Sequence, residues 1–290
     1  MTTTIQAALT RGEQLLSGHR TARLDAQVLL AHILGVDRSA LYAHPERELS
    51  PEQDLRYQNL LERRAQGEPV AYLTGHKEFF GLDLLVDRRV LIPRPETELL
   101  VEAALRICRE RLDAGQAPVV ADIGTGSGAI PIAIAASERH LPYLYASDIS
   151  EDVLEVASLN CRRHHVEDRV HLLLGDLDAP LPEPVDILTA NLPYISTQEE
   201  SRMDEEVLRY EPSLALFSEQ NGLAHIERLF TNLAFSSTLL PGAAMLLEIG
   251  YAQRETVTRL LATLWPLARV SYIQDYSGWD RVVQVILDVS

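Results

Sequence analysis

Asp122-Ile123-Gly124-Thr125-Gly126-Ser127-Gly128-Ala129 is the stretch on which the fold turns. The apolar run Val119–Ile123 precedes it and the helix-forming run Ala129–Ser137 follows, so strand, glycine loop and helix succeed one another. Glycines permit the tight turn and let a ligand lie against bare backbone. Gly124, Gly126 and Ala129 also satisfy the loose dinucleotide fingerprint, which leaves a nicotinamide or flavin enzyme open. Asp122 weighs against that reading. A carboxylate just before the glycines would repel a pyrophosphate, whereas it suits the cationic amino end of S-adenosylmethionine.

Outward from this loop the apolar pattern alternates between short and long segments. It predicts strands at Val119–Ile123, Tyr143–Ser147, Val170–Leu174, Val185–Ala190, Ala243–Ile249, Val270–Gln274 and Val282–Leu287. Helices are predicted at Ala129–Ser137, Glu151–Arg163, Gly222–Leu239 and Gln253–Leu264. The expectation is an α/β fold with a seven-stranded, mostly parallel sheet covered on both faces. Ligands in such sheets bind beyond the carboxyl ends of the strands. The second strand ends in Asp148, where a carboxylate can accept both ribose hydroxyls of either cofactor. The third ends in Gly175-Asp176-Leu177, where an acid can accept from an adenine amino group or simply form a turn. The expected cofactor set is Asp122, Gly124, Thr125, Gly126, Ser127, Gly128, Asp148, Asp176 and Leu177, with Asn191 at its edge.

The fourth strand runs into Asn191-Leu192-Pro193-Tyr194. An amide nitrogen is a poor nucleophile because its lone pair is delocalised into the carbonyl. It can still take a methyl group if it is held in line with the donor and its two N–H groups meet acceptors. The Asn191 side-chain oxygen can be one acceptor and the Leu192 backbone carbonyl the other. Pro193 biases Leu192 towards an extended conformation, and Tyr194 can stack on a planar acceptor. Asn191, Pro193 and Tyr194 are therefore the candidate catalytic residues, and Asn191 to Tyr194 the acceptor site. A plain Pro-containing turn is the competing reading.

Before the sheet, residues 1–75 carry helical spacing of apolar residues, including Leu24, Val28, Leu29, Leu30, Ile33 and Leu34. Asp37 and Ser50-Pro51 read as helix starts. This is expected to be a helical domain that contacts a partner. Residues 76–93 are expected to form a β-hairpin connector, with strands at 79–86 and 90–92 around Asp87-Arg88-Arg89; residues 94–290 form the sheet domain. A helix is expected from Thr97 to about Leu112, opened by Glu96 and Glu98.

The chain has a net charge of −16, distributed unevenly. Residues 1–93 hold 11 Lys+Arg against 12 Asp+Glu, and the remainder holds 15 against 30. Such an acidic body repels phosphates, so direct nucleic-acid binding is not expected and a protein partner is. Cys108, Cys161 and the nine histidines show no metal-ligand spacing. No stretch reaches the ~20 apolar residues of a membrane span, and residues 1–20 lack a signal peptide's apolar centre. A cytoplasmic monomer is expected. The acidic run Glu199-Glu200 and Asp204-Glu205-Glu206 reads either as a solvated face or as a receiver for a basic partner surface.

Asn191–Tyr194 is similar to the Asn-Pro-Pro-Tyr signature of amino-methyltransferases. Together with Gly75–Gly81, Ile92-Pro93-Arg94-Pro95-Glu96-Thr97-Glu98, Asp122–Ile130, Tyr210-Glu211-Pro212, Glu248-Ile249-Gly250 and Asp275…Gly278…Arg281, it makes nearly the whole chain resemble the PrmC/HemK family. The resemblance implies a Rossmann-like class I methyltransferase domain behind a small helical domain. It implies S-adenosylmethionine as cofactor and N5-methylation of the glutamine in the Gly-Gly-Gln motif of class I peptide chain release factors. Leu192 stands where the family has its first proline, which predicts a looser loop. Other readings stay open: a glutamine methyltransferase acting on a ribosomal protein, a DNA adenine-N6 methyltransferase, a dinucleotide oxidoreductase, and a non-enzymatic adaptor.

Overall fold

A computed structural model describes residues 3–288, apart from the side chains of Thr197 and Arg202. It forms two compact units, one of helices up to His76 together with Asp204–Tyr210, the other of Lys77–Met203 and the chain from Glu211 onward.

In the helical unit the segments Ile5–Leu15, Ala22–Leu34, Arg38–Ala43, Pro51–Ala65 and Val70–Thr74 enclose a core of Leu9, Leu29, Leu30, Tyr57 and Leu61. Ser50 starts its helix as the spacing predicts: its hydroxyl accepts from the Gln53 N–H, and Gln53 reaches back to the Ser50 N–H. The helix Glu205–Tyr210 belongs to this unit, and Glu206 is not simply solvated. Its carboxylate accepts from Arg64 Nη1 at 2.7 Å, while Arg64 Nε donates to Asp25 at 2.7 Å. Arg64 and Asp25 are each only 7% exposed at their side chains.

The larger unit opens with a hairpin, β1 (His76–Phe79) and β2 (Leu82–Leu85). Its turn is Phe80-Gly81, not the expected Asp87–Arg89, and Val90–Ile92 is not a strand. Phe80 and Gly81 both take positive φ, 51° and 74°, which matches the twist of a two-residue hairpin turn. Side chains hold this conformation, with Glu98 accepting the Phe80 N–H and Glu78 the Gly81 N–H. A bulky residue at positive φ hid the turn from sequence patterning.

The main sheet comprises β3 (Val120–Ile123), β4 (Leu144–Asp148), β5 (Val170–Leu174), β6 (Val185–Ala190), β9 (Leu239–Glu248), β10 (Arg269–Gln274) and β11 (Asp280–Ile286); β7 (Ile195–Ser196) and β8 (Phe217–Ser218) pair separately. Its order is β10-β11-β9-β6-β3-β4-β5, with only β11 antiparallel to its neighbours. This is the seven-stranded, mostly parallel sheet the alternation predicts. Strand periodicity sorts the side chains, so Val120, Ile187, Ala244 and Leu246 fill the core on one face, and Ala121, Leu188, Met245 and Leu247 the core on the other. The helix expected to reach Leu239 ends at Phe235, and β9 begins at Leu239 instead of Ala243. Pro241 and Gly242 obscured that strand start. They lie where β9 slips register against β6, between Val185 and Ile187, and an irregular pairing accommodates both residues. Cys108 and Cys161 are both buried thiols. No helix among the described residues is long and apolar enough to cross a membrane.

Removing Arg64 would leave the buried Asp25 carboxylate unpaired. Arg64→Ala is expected to destabilise the helical unit by about 3–5 kcal/mol. Arg23→Ala, which breaks the exposed pair with Glu13, should cost no more than ~1 kcal/mol, and denaturant unfolding of the two variants measures the contrast.

Candidate active site

β3 is flanked by β4 and β6, so the chain reverses its direction across the sheet at β3. Crevices at such switch points receive ligands. The glycine loop leaves β3 and Asn191–Tyr194 leaves β6 beside it.

Gly124, Gly126 and Gly128 all take positive φ, at 71°, 57° and 80°. A Cβ added to Gly126 would meet nothing within 4 Å, which leaves an open cradle above the loop. Asp122 is 1% exposed. Its Oδ1 accepts from Thr189 Oγ1 at 2.7 Å, while Oδ2 has no partner, and neither has the buried hydroxyl of Thr125. Burial pushes the Asp122 carboxyl up to about 7. Ser127 is buried as well, and its carbonyl accepts from Asn160 Nδ2. Asp148 is held by two backbone donors, Gly126 N–H at 3.0 Å and Ser150 N–H at 3.1 Å, which fix its carboxylate at the mouth of the loop. Leu177 takes a φ of 51°, and its carbonyl accepts from Ser147 Oγ. Asp176 is less committed to the crevice than expected, because its Oδ1 pairs with Arg228 Nη2 at 2.7 Å on the surface. An orphaned anion, a bare glycine loop and a backbone-braced carboxylate suit a ligand with a cationic amine and a ribose.

The acceptor loop is anchored differently from the sequence expectation. Leu192 does not loosen it, being 5% exposed and packed into the core. Its Cδ2 lies 2.8 Å from where a Cβ on Gly124 would sit, so the leucine fills the space that glycine leaves free. Tyr194 is fixed by Gln253, whose Nε2 donates to the Tyr194 carbonyl at 3.0 Å. Gly222 passes so close that a Cβ there would stand 2.0 Å from that same carbonyl oxygen. A cavity of 1040 Å³ opens beside Tyr194, lined among others by Glu199, Asn221, Tyr251, Gln253 and Arg281.

One residue of the site had no role assigned from sequence, namely Glu248. Asp122 pairs with Thr189 in register, and Thr189 with Leu246. Asn191 and Glu248 lie two residues beyond that last pair, so they meet on the same face of the sheet. Glu248 Oε2 accepts from Thr97 Oγ1 at 2.6 Å and from Asn191 Nδ2 at 3.0 Å, and Oε1 accepts from Tyr194 Oη at 3.0 Å. Asn191 Nδ2 also donates to Thr97 Oγ1 at 3.1 Å. Burial raises the Glu248 carboxyl above its ordinary value, and burial together with Glu248 keeps the Tyr194 hydroxyl protonated. Thr97 is delivered by the Pro93–Glu98 segment, itself tied down by Glu211, which accepts from the Ile92 N–H and from Arg94. Arg94 thus braces this segment. A charged residue closing the otherwise apolar run Ala243–Leu247 was the sequence signal for Glu248.

This fold, with a glycine loop and an Asn-x-Pro-Tyr loop on adjacent strand ends, defines a Rossmann-like methyltransferase. Residues 7–75 match the family model of the PrmC N-terminal domain, and residues 102–194 that of the ribosomal protein L11 methyltransferase (PrmA). The chain is 41% identical to the release factor glutamine methyltransferase of Moorella thermoacetica, with 91% of each chain covered. It is 38% identical to that of Chlorobaculum tepidum, with 89% of this chain and 88% of the relative covered. The N-terminal domain of human METTL16, solved in complex with SAH, shares the fold at a TM-score of 0.53 and 15% identity, over 90% of this chain and 94% of that one. The chain belongs to the release factor glutamine methyltransferase family. It is an S-adenosylmethionine-dependent enzyme.

The Asp122 carboxyl gives a test in the ligand-free protein. An unfolded aspartate ionises near pH 3.9, the folded one near 7. Folding therefore favours the protonated form, and this contribution is lost as pH rises through 7. Asp122→Asn is expected to raise the ligand-free Tm relative to wild type by roughly 5–10 °C more at pH 8 than at pH 5, while weakening S-adenosylmethionine binding in calorimetry. Parallel Tm profiles across that range would remove the buried-anion account.

Proposed function

We propose that Asn191, Leu192, Pro193 and Tyr194 hold the side-chain amide of the glutamine in the Gly-Gly-Gln motif of a class I release factor, and that this nitrogen is the methyl acceptor. The reading is carried by one observation. The Asn191 Nδ2 group is turned inward to Thr97 and Glu248, which leaves Oδ1 as the atom turned to an incoming NH2 group.

S-adenosylmethionine, when bound, supplies a sulfonium methyl group open to attack. Asp122 and the glycine loop Gly124–Gly128 hold its amino acid end, Asp148 the ribose, and Asp176 with Leu177 the adenine. Asn191 Oδ1 and the Leu192 carbonyl accept the two N–H groups of the glutamine amide, and Tyr194 stacks on its plane. The bound cofactor would supply the methyl group and leave as the neutral thioether, and the amide proton displaced by methylation would pass to water while Asn191 Oδ1 and the Leu192 carbonyl keep the nitrogen in place. No strong base stands at the loop, so the rate enhancement comes from position and fixed dipoles. The cavity beside Tyr194 accommodates the backbone of the acceptor loop, and Glu199 and Glu227 on its wall suit a basic partner. The helical unit is the partner-docking element. The enzyme works as a cytoplasmic monomer without binding nucleic acid directly, in keeping with its acidic body.

The test is transfer of labelled methyl from S-adenosylmethionine to purified class I release factor. Labelling is expected with wild type, and a loss of at least about 100-fold is expected with Asn191→Ala enzyme, on the scale of removing one preorganised catalytic dipole. A Gln→Ala substitution in the acceptor motif should abolish labelling. Labelling that survives in that acceptor, or labelling of a ribosomal protein in its place, would end the assignment.

A further inference from the structure

A primary amide is nearly symmetric in shape and can sit in its site in two senses, 180° apart, with oxygen and nitrogen exchanged. The acceptor chemistry needs only one of them. Resting on the methyl-transfer reading above, we propose that Thr97 and Glu248 are positioning residues that fix the sense of the Asn191 amide, so that Oδ1 faces the acceptor and Nδ2 faces the protein.

The donor and acceptor inventory of the cluster permits one arrangement. Burial disfavours the charge on Glu248, and the hydrogen bonds from Thr97 and Tyr194 with the Arg281 charge oppose that and favour the ionised form, in which a carboxylate accepts and cannot donate. Glu248 is 2% exposed, so water cannot serve it, and each of its observed partners is a donor: Thr97, Asn191 and Tyr194. Thr97 has a single proton. Having given it to Glu248, its oxygen is left as an acceptor that shares the inward N–H of Asn191 with that carboxylate. Inverting the amide would set Oδ1 against the Glu248 carboxylate and against the lone pairs of Thr97. Two hydrogen bonds would become two repulsions in a water-free site, where such terms are strong. The preference for the productive sense is then roughly 100-fold, the worth of one hydrogen bond to a buried charge. The same carboxylate holds Tyr194 Oη with its other oxygen, so one group sets both ends of the four-residue loop. Glutamine can replace it only by turning its NH2 on Asn191, or on Tyr194 Oη at the cost of that hydroxyl's own acceptor.

Charge and polarity exchange tests this directly. In Glu248→Gln the new amide turns its NH2 towards Asn191, whose side chain inverts. kcat for methylation of purified release factor is expected to fall about 100-fold, in line with the loss of that orienting bond, while the Kd for S-adenosylmethionine stays within about twofold. Asn191→Asp alone sets carboxylate against carboxylate and falls similarly. The double variant restores the pattern, because the new amide donates to one oxygen of the new carboxylate and leaves the other to the acceptor. It should recover at least about tenfold over either single variant, a coupling that a merely structural role does not give. Thr97→Ser should stay near wild type and Thr97→Val fall about tenfold, which keeps the test open should Glu248→Gln fail to fold. A second readout does not depend on catalysis: in the free ¹⁵N-labelled protein the Asn191 Nδ2 protons should exchange slowly, and faster in Glu248→Gln. Undiminished kcat in Glu248→Gln, absence of recovery in a folded double variant, or unprotected Asn191 protons in wild type each overturns the clamp. Protected protons in a wild type that labels no release factor would leave the clamp standing and remove the proposed acceptor.

Discussion

A single buried carboxylate organises the acceptor end of this enzyme. Glu248 is out of reach of water, and an unpaired charge there would be very unfavourable. Thr97, Asn191 and Tyr194 satisfy it, and they come from two segments of the chain brought together at the strand ends. Its hydrogen-bond demand is therefore also a geometric constraint. The segment that carries Thr97 must be rigid, and Glu211 makes it so through the Ile92 N–H and Arg94. Motifs scattered over more than a hundred residues thus form one connected polar structure, with two buried glutamates as its fixed points.

Asp122 plays the opposite part on β3, two strands away across β6. Its Oδ2 is left unsatisfied, and the fold carries an ionisable group whose charge it disfavours. The two acids sit on the same face of one sheet, yet one has a full set of donors and the other does not. Saturation at Glu248 gives rigidity where an acceptor must be oriented. The deficit at Asp122 stores affinity for a cation.

Much of this was legible in the sequence because strand ends are where patterning is least ambiguous. Apolar runs closed by Asp122, Asp148 and Asn191 placed three strand-end loops, and the mostly parallel sheet follows from the alternation of strands and helices, whereas its strand order does not. The hairpin turn was not legible, since Phe80 occupies a conformation that a bulky residue holds only with the help of Glu98 and Glu78. Nor was the role of Leu192, because its partner is an absence, the missing side chain of Gly124 more than sixty residues earlier. Glu248 was quoted as part of a motif, but its function rests on register between β6 and β9 and cannot be read from either strand alone. The pairing of Asp176 with Arg228 likewise depends on a tertiary meeting.

The contact of Leu192 with Gly124 has a mechanical corollary. The glycine loop and the Asn191–Tyr194 loop meet where a methyl group of the buried Leu192 side chain sits in the space left by Gly124. Breathing of the sheet then carries both loops along together, as two jaws on a common pivot. The spacing of the two loops is thereby set by the bulk of one side chain, so a larger residue at 124 would have to push Leu192 aside.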